Sequence, residues 1–414
     1  MTGSTLKYRY PLRHVMLTMS LVMAMLFSCS SSDPEPEKEV TGPPSVQKTN
    51  DMKVYMHYMP WFQSKPFAGY WGSHWTMANK NPDIIEAGGQ RQIASHYYPL
   101  IGPYDSRDKD VIDYHLLLMK YAGVDGLLID WYGTHSVYDY KVNAIATNAV
   151  VAELDSVGLQ FGVVYEDYTA QNVEAKTDLT AVQAAQADMK YLNENYYPRK
   201  NHIAIDGKPL LLTFGPRYFK TASQWTEIFK GTQAPVFLPL WDHASLTGST
   251  GGGEFSWVDF NTSLSQLTAF YGKASGGKLK LGSAYPRFHD FYSEGGTGTS
   301  YGYVDFNNGQ TLQNTLNKAT EYDLKYLQLV TWNDFGEGTI LEPTVEDQFK
   351  CLEILQAFTG VSYTKAELEL VYSYYLKKIK YKGNKPALAT LKQTFQHLVN
   401  LEVDQARALL DSLE

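Results

Sequence analysis

Residues 109–130 read KDVIDYHLLLMKYAGVDGLLID. The first part carries apolar residues at helical spacing up to an Ala-Gly stop, and the second is a short unbroken apolar run closed by Asp130. A strand apolar on both faces belongs to a parallel sheet covered on both sides. Working outward, the same strand-then-helix rhythm recurs. Strands are predicted at KVYMHYM (53–59), VDGLLID (124–130), QFGVVYE (160–166), PLLLTFG (209–215), PVFLPLW (235–241), FSWVDF (255–260), KLKLGSAYP (278–286) and YLQLVTWND (326–334). Helical patterns such as NAIATNAVVAELDSVG (143–158), AVQAAQADMKYLNENYY (181–197) and NTLNKATEYD (314–323) lie between several of them. Eight such units point to an α/β fold, a (β/α)8 TIM barrel with long mouth loops and a C-terminal helical extension. No G-x-G-x-x-G follows the first strand, which weighs against a dinucleotide fold. The GSTGGGE run at 248–254 lacks the Gly-Lys-Ser/Thr of a phosphate loop and reads as a flexible loop.

The chain has 414 residues, 44% of them hydrophobic and 19% charged, enough to bury a large core. A net charge of −8 without a basic stripe excludes nucleic acid as the expected partner. Aromatic residues reach 14%, with 31 Tyr and 8 Trp. Such rings either pack in cores or stack on sugar faces.

Residues 1–29 form a lipoprotein signal peptide: basic residues precede the apolar run VMLTMSLVMAMLF, which is too short for a membrane span, and LFSC resembles a lipobox ending at Cys29. Lipidation of Cys29 would tether an exported bacterial lipoprotein to the cell envelope, in the outer membrane and facing either the periplasm or the surface, by lipid alone. Residues 30–50 read as a flexible linker rich in Ser, Pro and Glu. Residues 51–360 form the barrel and 361–414 the helical extension, whose lysines at 377, 378, 380 and 382 read as a solvated face. Cys351 reads as a core residue on a helix, with no disulfide partner. A monomer is expected.

In a barrel of this kind the C-terminal strand ends converge on one mouth. Here those ends couple acids with aromatic rings: HYMPWF, IDWYG, VVYEDY, PLWDH, SAYPRFHD and TWNDFGEG. Cleaving a glycosidic bond needs a proton donor and a second carboxylate. Asp334 and Glu337, three residues apart after the last strand, fit that need, with Asp130 and Glu166 completing the cluster or binding hydroxyls. The plainer reading of Asp334 and Glu337 is loop solvation and N-capping. Glu342 reads as a supporting or capping group. His57, His74, His243 and His289 lie near strand ends and are candidates for hydroxyl contacts. No H-E-x-x-H or spaced Cys/His cluster and no G-x-S-x-G elbow occurs, so no metal, no cofactor and no serine nucleophile are expected.

HYMPWF, YWGSHWTMANKNP, YYPLIGPYDSRD, MKYAGVDGLLIDWYG and TWNDFGEGTILEP, in this order between about 53 and 350, resemble glycoside hydrolase family 99, the endo-acting α-mannosidases and α-mannanases. The resemblance implies a (β/α)8 fold, an α-linked oligo- or polysaccharide substrate and retention of configuration through a 1,2-anhydro sugar. Glu337 falls on the position of the family's general acid/base and Asp334 on that of the carboxylate that deprotonates the sugar's 2-hydroxyl. The family pattern has Glu at the latter position. Asp is shorter by one methylene, a retreat of about 1.5 Å. The strand-eight segment is also similar to family 71, inverting α-1,3-glucanases in which the second carboxylate would activate water. A third reading is a non-catalytic glycan-binding lipoprotein. Further substrate contacts are expected from Tyr58, Trp71, His74, Trp75, Trp131, Tyr285, Trp332 and Asn333.

Overall fold

The computed structural model describes residues 42–413. The signal peptide, Cys29 and most of the expected linker lie outside the described residues.

Eight parallel strands form the core: β1 Lys53–Tyr58, β2 Gly126–Trp131, β3 Gln160–Tyr165, β4 Lys208–Thr213, β5 Val236–Pro239, β6 Gly253–Phe255, β7 Leu279–Ala284 and β8 Tyr326–Leu329. They pair in chain order from β1 to β5 and from β6 to β8, and β8 returns to β1 with Lys53 opposite Tyr326. The β5–β6 seam is closed by Gly252 N donating to Phe237 O at 2.7 Å and Trp241 N donating to Phe255 O at 2.8 Å. The ring is a closed (β/α)8 barrel, as the strand count anticipates. All six residues of β2 are buried, as a strand with side chains in the barrel interior on one face and under helices on the other requires.

Two strands depart from the sequence reading. The sixth lies at 253–255 and takes in the end of the glycine run predicted as a flexible loop. A Cβ on Gly253 would meet Leu279 O at 1.9 Å, so the glycine permits the close approach of β6 to β7. The eighth stops at Leu329. The chain then folds back as a small antiparallel ladder, Asn333–Asp334 against Thr339–Ile340, and the acid pair belongs to this hairpin instead of a strand end.

Helices cover the barrel with clear stop and start chemistry. Asp108 caps Lys109–Tyr121, accepting from Asp110 N at 2.9 Å. Thr180 and Gln183 form a reciprocal capping box on Ala181–Asn195. Gly158, with φ 79°, ends Tyr140–Val157. Cys351 is buried on the helix Lys350–Thr359.

Three helices follow: Lys365–Lys380 and Lys385–Val399 pack on Lys109–Tyr121, and Val403–Asp411 packs on those two. The Tyr114 and Tyr375 rings lie 5.1 Å apart, and Tyr121 OH donates to Leu398 O at 3.0 Å. The lysine cluster is not wholly a solvated face. Lys378 pairs with Asp110 at 2.8 Å, and Lys377 donates to Leu413 O. The end of the expected linker is likewise fastened: Lys48 pairs with Asp125, and Asn50 N donates to Thr359 O at 3.2 Å. Among the described residues no helix is long and apolar enough to cross a membrane.

Candidate active site

The C-terminal strand ends surround a cavity of about 510 Å³. Its wall takes His57 from β1, Asp130 from β2, Glu166 after β3, Arg217 after β4, Trp257 after β6 and Tyr292 after β7. The hairpin after β8 adds Asp334 and Glu337. A second cavity, of about 400 Å³, shares Trp61, Tyr132, Tyr292 and Asp334 with the first and continues along His74 and Met77. The acid pair therefore stands partway along a cleft, with space on either side of Asp334.

The hairpin fixes both acids. Glu337 N donates to Asp334 Oδ1 at 2.9 Å, and Gly338 N donates to Asp334 O at 2.8 Å. On its outer side the hairpin is tied to the segment after β7: His289 N donates to Glu337 O and Phe291 N to Gly336 O, both at 2.8 Å. Asn333 anchors its base, accepting from Met59 N at 2.9 Å and donating to Met59 O and Tyr104 OH at 3.0 Å each. Tyr104 OH in turn donates to buried Glu342 at 2.7 Å, and the His115 ring is 3.3 Å from the other Glu342 oxygen. Glu342 is thus a support at the back of the hairpin, away from the cavity.

Four carboxyl groups share the cavity with one guanidinium, so they cannot all ionise cheaply. Burial pushes Asp334 up to about 6, held back by the backbone N–H groups of Glu337 and Gly336. Burial and the charge of Asp334 push Glu337 well above the usual carboxylate range. Tyr292 OH donates to Glu337 Oε1 at 3.2 Å. Burial carries Glu166 up to about 8, with Arg217 opposing, and burial with the charges of Glu166 and Asp334 drives Asp130 well above the usual carboxylate range. Asp130 Oδ2 is buried without a protein partner, as a carboxyl awaiting a ligand hydroxyl would be. His57, fully buried and bonded to Gln328 Oε1 at 3.2 Å, is lowered to about 4 and stays neutral. Near neutral pH the arrangement thus supplies one ionised acceptor, Asp334, beside one protonated donor, Glu337.

The structure brings His57, Asp130, Glu166, Asp334 and Glu337 to one cavity, and His74 to its continuation, where it stacks on Trp61 at 4.3 Å. It places the other expected sugar contacts elsewhere. Tyr58 is buried with its OH 3.1 Å from His115 Nδ1. Trp131 is buried and stacks on Tyr191 of the helix layer. Trp75 donates to Tyr104 O at 2.9 Å inside the core, and Trp332 is buried against His115. Tyr285 OH donates to Asp259 O at 2.9 Å. Asn333 spends its amide on the backbone and Tyr104, as described. Trp71 donates to Asp83 at 2.9 Å on an outer loop. His289 stacks on His96, and His243 bonds Trp241 O at 2.8 Å, neither lining the cavity.

For Tyr58 and Trp131 the reason is parity. Adjacent strand residues face opposite sides, so the aromatic residue directly after an inward acid or histidine must point into the helices. Asp130 faces in and Trp131 out; His57 faces in and Tyr58 out. The rings that do line the cavity, among them Trp61, Tyr132, Trp257 and Tyr292, sit in loops beyond the strands. Trp61 and Tyr132 lie within the HYMPWF and IDWYG motifs, two or more residues past the inward acid or histidine, a spacing that could have found them.

Clustered carboxyl groups and aromatic rings at the C-terminal mouth of a closed barrel meet the chemical needs of glycoside hydrolysis. The family model described as Glycosyl hydrolase family 99 matches residues 49–236. A mouse glycoprotein endo-alpha-1,2-mannosidase-like protein is 24% identical over 215 residues, 48% of this chain and 43% of the relative. A mouse glycoprotein endo-alpha-1,2-mannosidase is 29% identical over 118 residues, 26% of this chain and 25% of its own. The chain thus spans less than half the length of these curated relatives. The solved GH99 endo-alpha-mannosidase from Bacteroides thetaiotaomicron superposes with a TM-score of 0.57 at 20% identity, covering 78% of this chain and 99% of that one, a likeness of fold. Over residues 49–236 the chain is thus similar to glycoside hydrolase family 99, and its fold is that of the solved GH99 endo-alpha-mannosidase.

Proposed function

We propose that the protein hydrolyses internal α-mannosidic linkages in mannan or N-glycan-type chains, with Asp334 as assisting carboxylate and Glu337 as acid/base. The observation that carries this reading is the hairpin: two carboxyl groups three residues apart, linked through Glu337 N, lining one cavity with proton affinities displaced by burial and by each other. The relatives named as endo-alpha-1,2-mannosidases support the mannoside class. The cleft continuing past Asp334 suits a chain cut at an internal bond.

In the first step Asp334 takes the proton of the sugar's 2-hydroxyl, O2 closes on C1, and Glu337 gives its proton to the departing glycosidic oxygen. The product is a 1,2-anhydro sugar and a shortened chain. In the second step Glu337 takes a proton from water, the water oxygen attacks C1, and O2 leaves C1 to recover its proton from Asp334. Two inversions at C1 give net retention. Asp130 and Glu166, both raised by burial, are suited to donate to sugar hydroxyls, and Tyr292 holds Glu337 in place.

A second reading, water-assisted inverting hydrolysis in the manner of family 71, rests on Asp334 itself. Its side chain is short, and Oδ1 is engaged by Glu337 N. We also propose that Cys29 is lipidated and anchors an exported monomer at the outer membrane. This rests on the residue pattern of 1–29, and Cys29→Ser would abolish radiolabelled-palmitate incorporation if it holds. The activity is tested by incubating the protein with α-mannan and with α-1,3-glucan and sizing the products. Oligosaccharides from α-mannan support the reading. Products from α-1,3-glucan alone favour the second, and binding without products favours a non-catalytic glycan binder.

A further inference from the structure

Tyr138 is the most exposed large apolar-bodied side chain among the described residues, at 70%, and its backbone is held at φ 46°. A bulky residue pays twice there, in left-handed backbone strain and in an aromatic face left in water. At that exposure packing offsets little of either cost. The ring does have an organised setting. It meets the Tyr140 ring edge-on at 5.8 Å, and Tyr140 meets Tyr132 at 5.3 Å. Tyr132 in turn lies 5.9 Å from Trp61, which stacks on His74. Tyr140, Tyr132 and Trp61 line the carboxylate cavity, whereas Tyr138 stands one ring further out. Tyr140 is held by Asn172 Nδ2 donating to its OH at 2.7 Å, and the Lys176 ammonium stands 6.0 Å from the Tyr138 ring centre.

We propose that Tyr138 is an outer sugar subsite, on which a hexose unit of the α-linked chain beyond the cleft stacks, with Lys176 as donor to its hydroxyls. The inference rests on the glycoside hydrolase reading of the cavity and adds to it a preference for polymer over short oligosaccharide. A sugar presents a polarised C–H face to the aromatic ring and hydroxyls around its edge, which the exposed ring and the nearby ammonium complement. The continuous series of rings from Trp61 to Tyr138 gives the chain one wall to follow out of the cleft.

The test compares wild type with Tyr138→Ala and Tyr138→Phe on polymeric α-mannan and on a short α-mannooligosaccharide that fills only the cleft, with thermal melts confirming the fold. Tyr138→Ala is expected to raise KM for the polymer about 2- to 10-fold, leaving kcat on the polymer and both parameters on the short substrate unchanged. Tyr138→Phe is expected to behave as wild type. An active wild type with unchanged polymer KM in Tyr138→Ala, or an equal change on both substrates, overturns the subsite and leaves the hydrolase reading standing. A wild type inert on both substrates overturns the hydrolase reading and the subsite with it.

Discussion

Glu337 donates its backbone N–H to Asp334 Oδ1 at 2.9 Å, so the two carboxyl groups are parts of one rigid turn. An amide at 334 can still accept that bond but cannot take a proton from a hydroxyl. Asp334→Asn is therefore expected to keep the fold and lose about 10²- to 10⁴-fold in kcat, measured on α-mannan beside a melt matching wild type. Retained turnover would show that the 334 carboxylate is not the base.

The pH dependence follows from the same pair. Asp334 must be ionised and is pushed up to about 6, while Glu337 must be protonated and lies well above the usual carboxylate range. The profile of kcat/KM is expected to be bell-shaped, with its acid limb falling below about pH 6 and its alkaline limb set by Glu337. A flat rate from pH 4 to 6 would contradict the assignment of Asp334.

Tyr292 OH donates to Glu337 Oε1 and favours the ionised form of that carboxyl. Tyr292→Phe removes the donor, so the alkaline limb is expected to move upward while kcat falls about 10-fold. A merely structural loss would lower the rate without displacing the limb.

Glu166 carries a stability cost. Its carboxyl is raised from 4.5 to about 8, so the folded state binds the proton more tightly than the unfolded chain. The stability this contributes is complete below about pH 4.5 and is lost as pH rises through about 8. Glu166→Gln is expected to be more stable than wild type by about 0.5–2 kcal/mol at pH 9, with the difference gone at pH 4. Urea midpoints at the two pH values measure it.

Asn333 joins the end of β1 to the hairpin through Met59 and Tyr104. Asn333→Ala leaves the buried Met59 N–H and C=O without partners and is expected to cost about 2–4 kcal/mol, read as a lowered urea midpoint together with lost activity.

The barrel was legible in the sequence because its strands are continuous apolar runs between helices with ordinary stop signals, as at Gly158. The acids were legible for a related reason: Asp130 and Glu166 close those runs at the mouth. The rings were not. Motif reading joined Trp131 to Asp130 and Tyr58 to His57, although pleating sends each pair to opposite faces. The hairpin was hidden too, since Asn333 and Asp334 continue an apolar run that gives no sign of turning until Gly336 and Gly338. Gly253 works the opposite way: a glycine-rich run reads as loop, yet a Cβ at this position would meet Leu279 O at 1.9 Å, so the glycine is what lets the two strands approach.

The most direct test of the account follows α-mannan cleavage by proton NMR in wild type and in Glu337→Gln. The account expects wild type to release the retained α-anomer first, with the β-anomer appearing only by mutarotation, and Glu337→Gln to release neither at a measurable rate. Full turnover in Glu337→Gln, or the β-anomer appearing first in wild type, would contradict it.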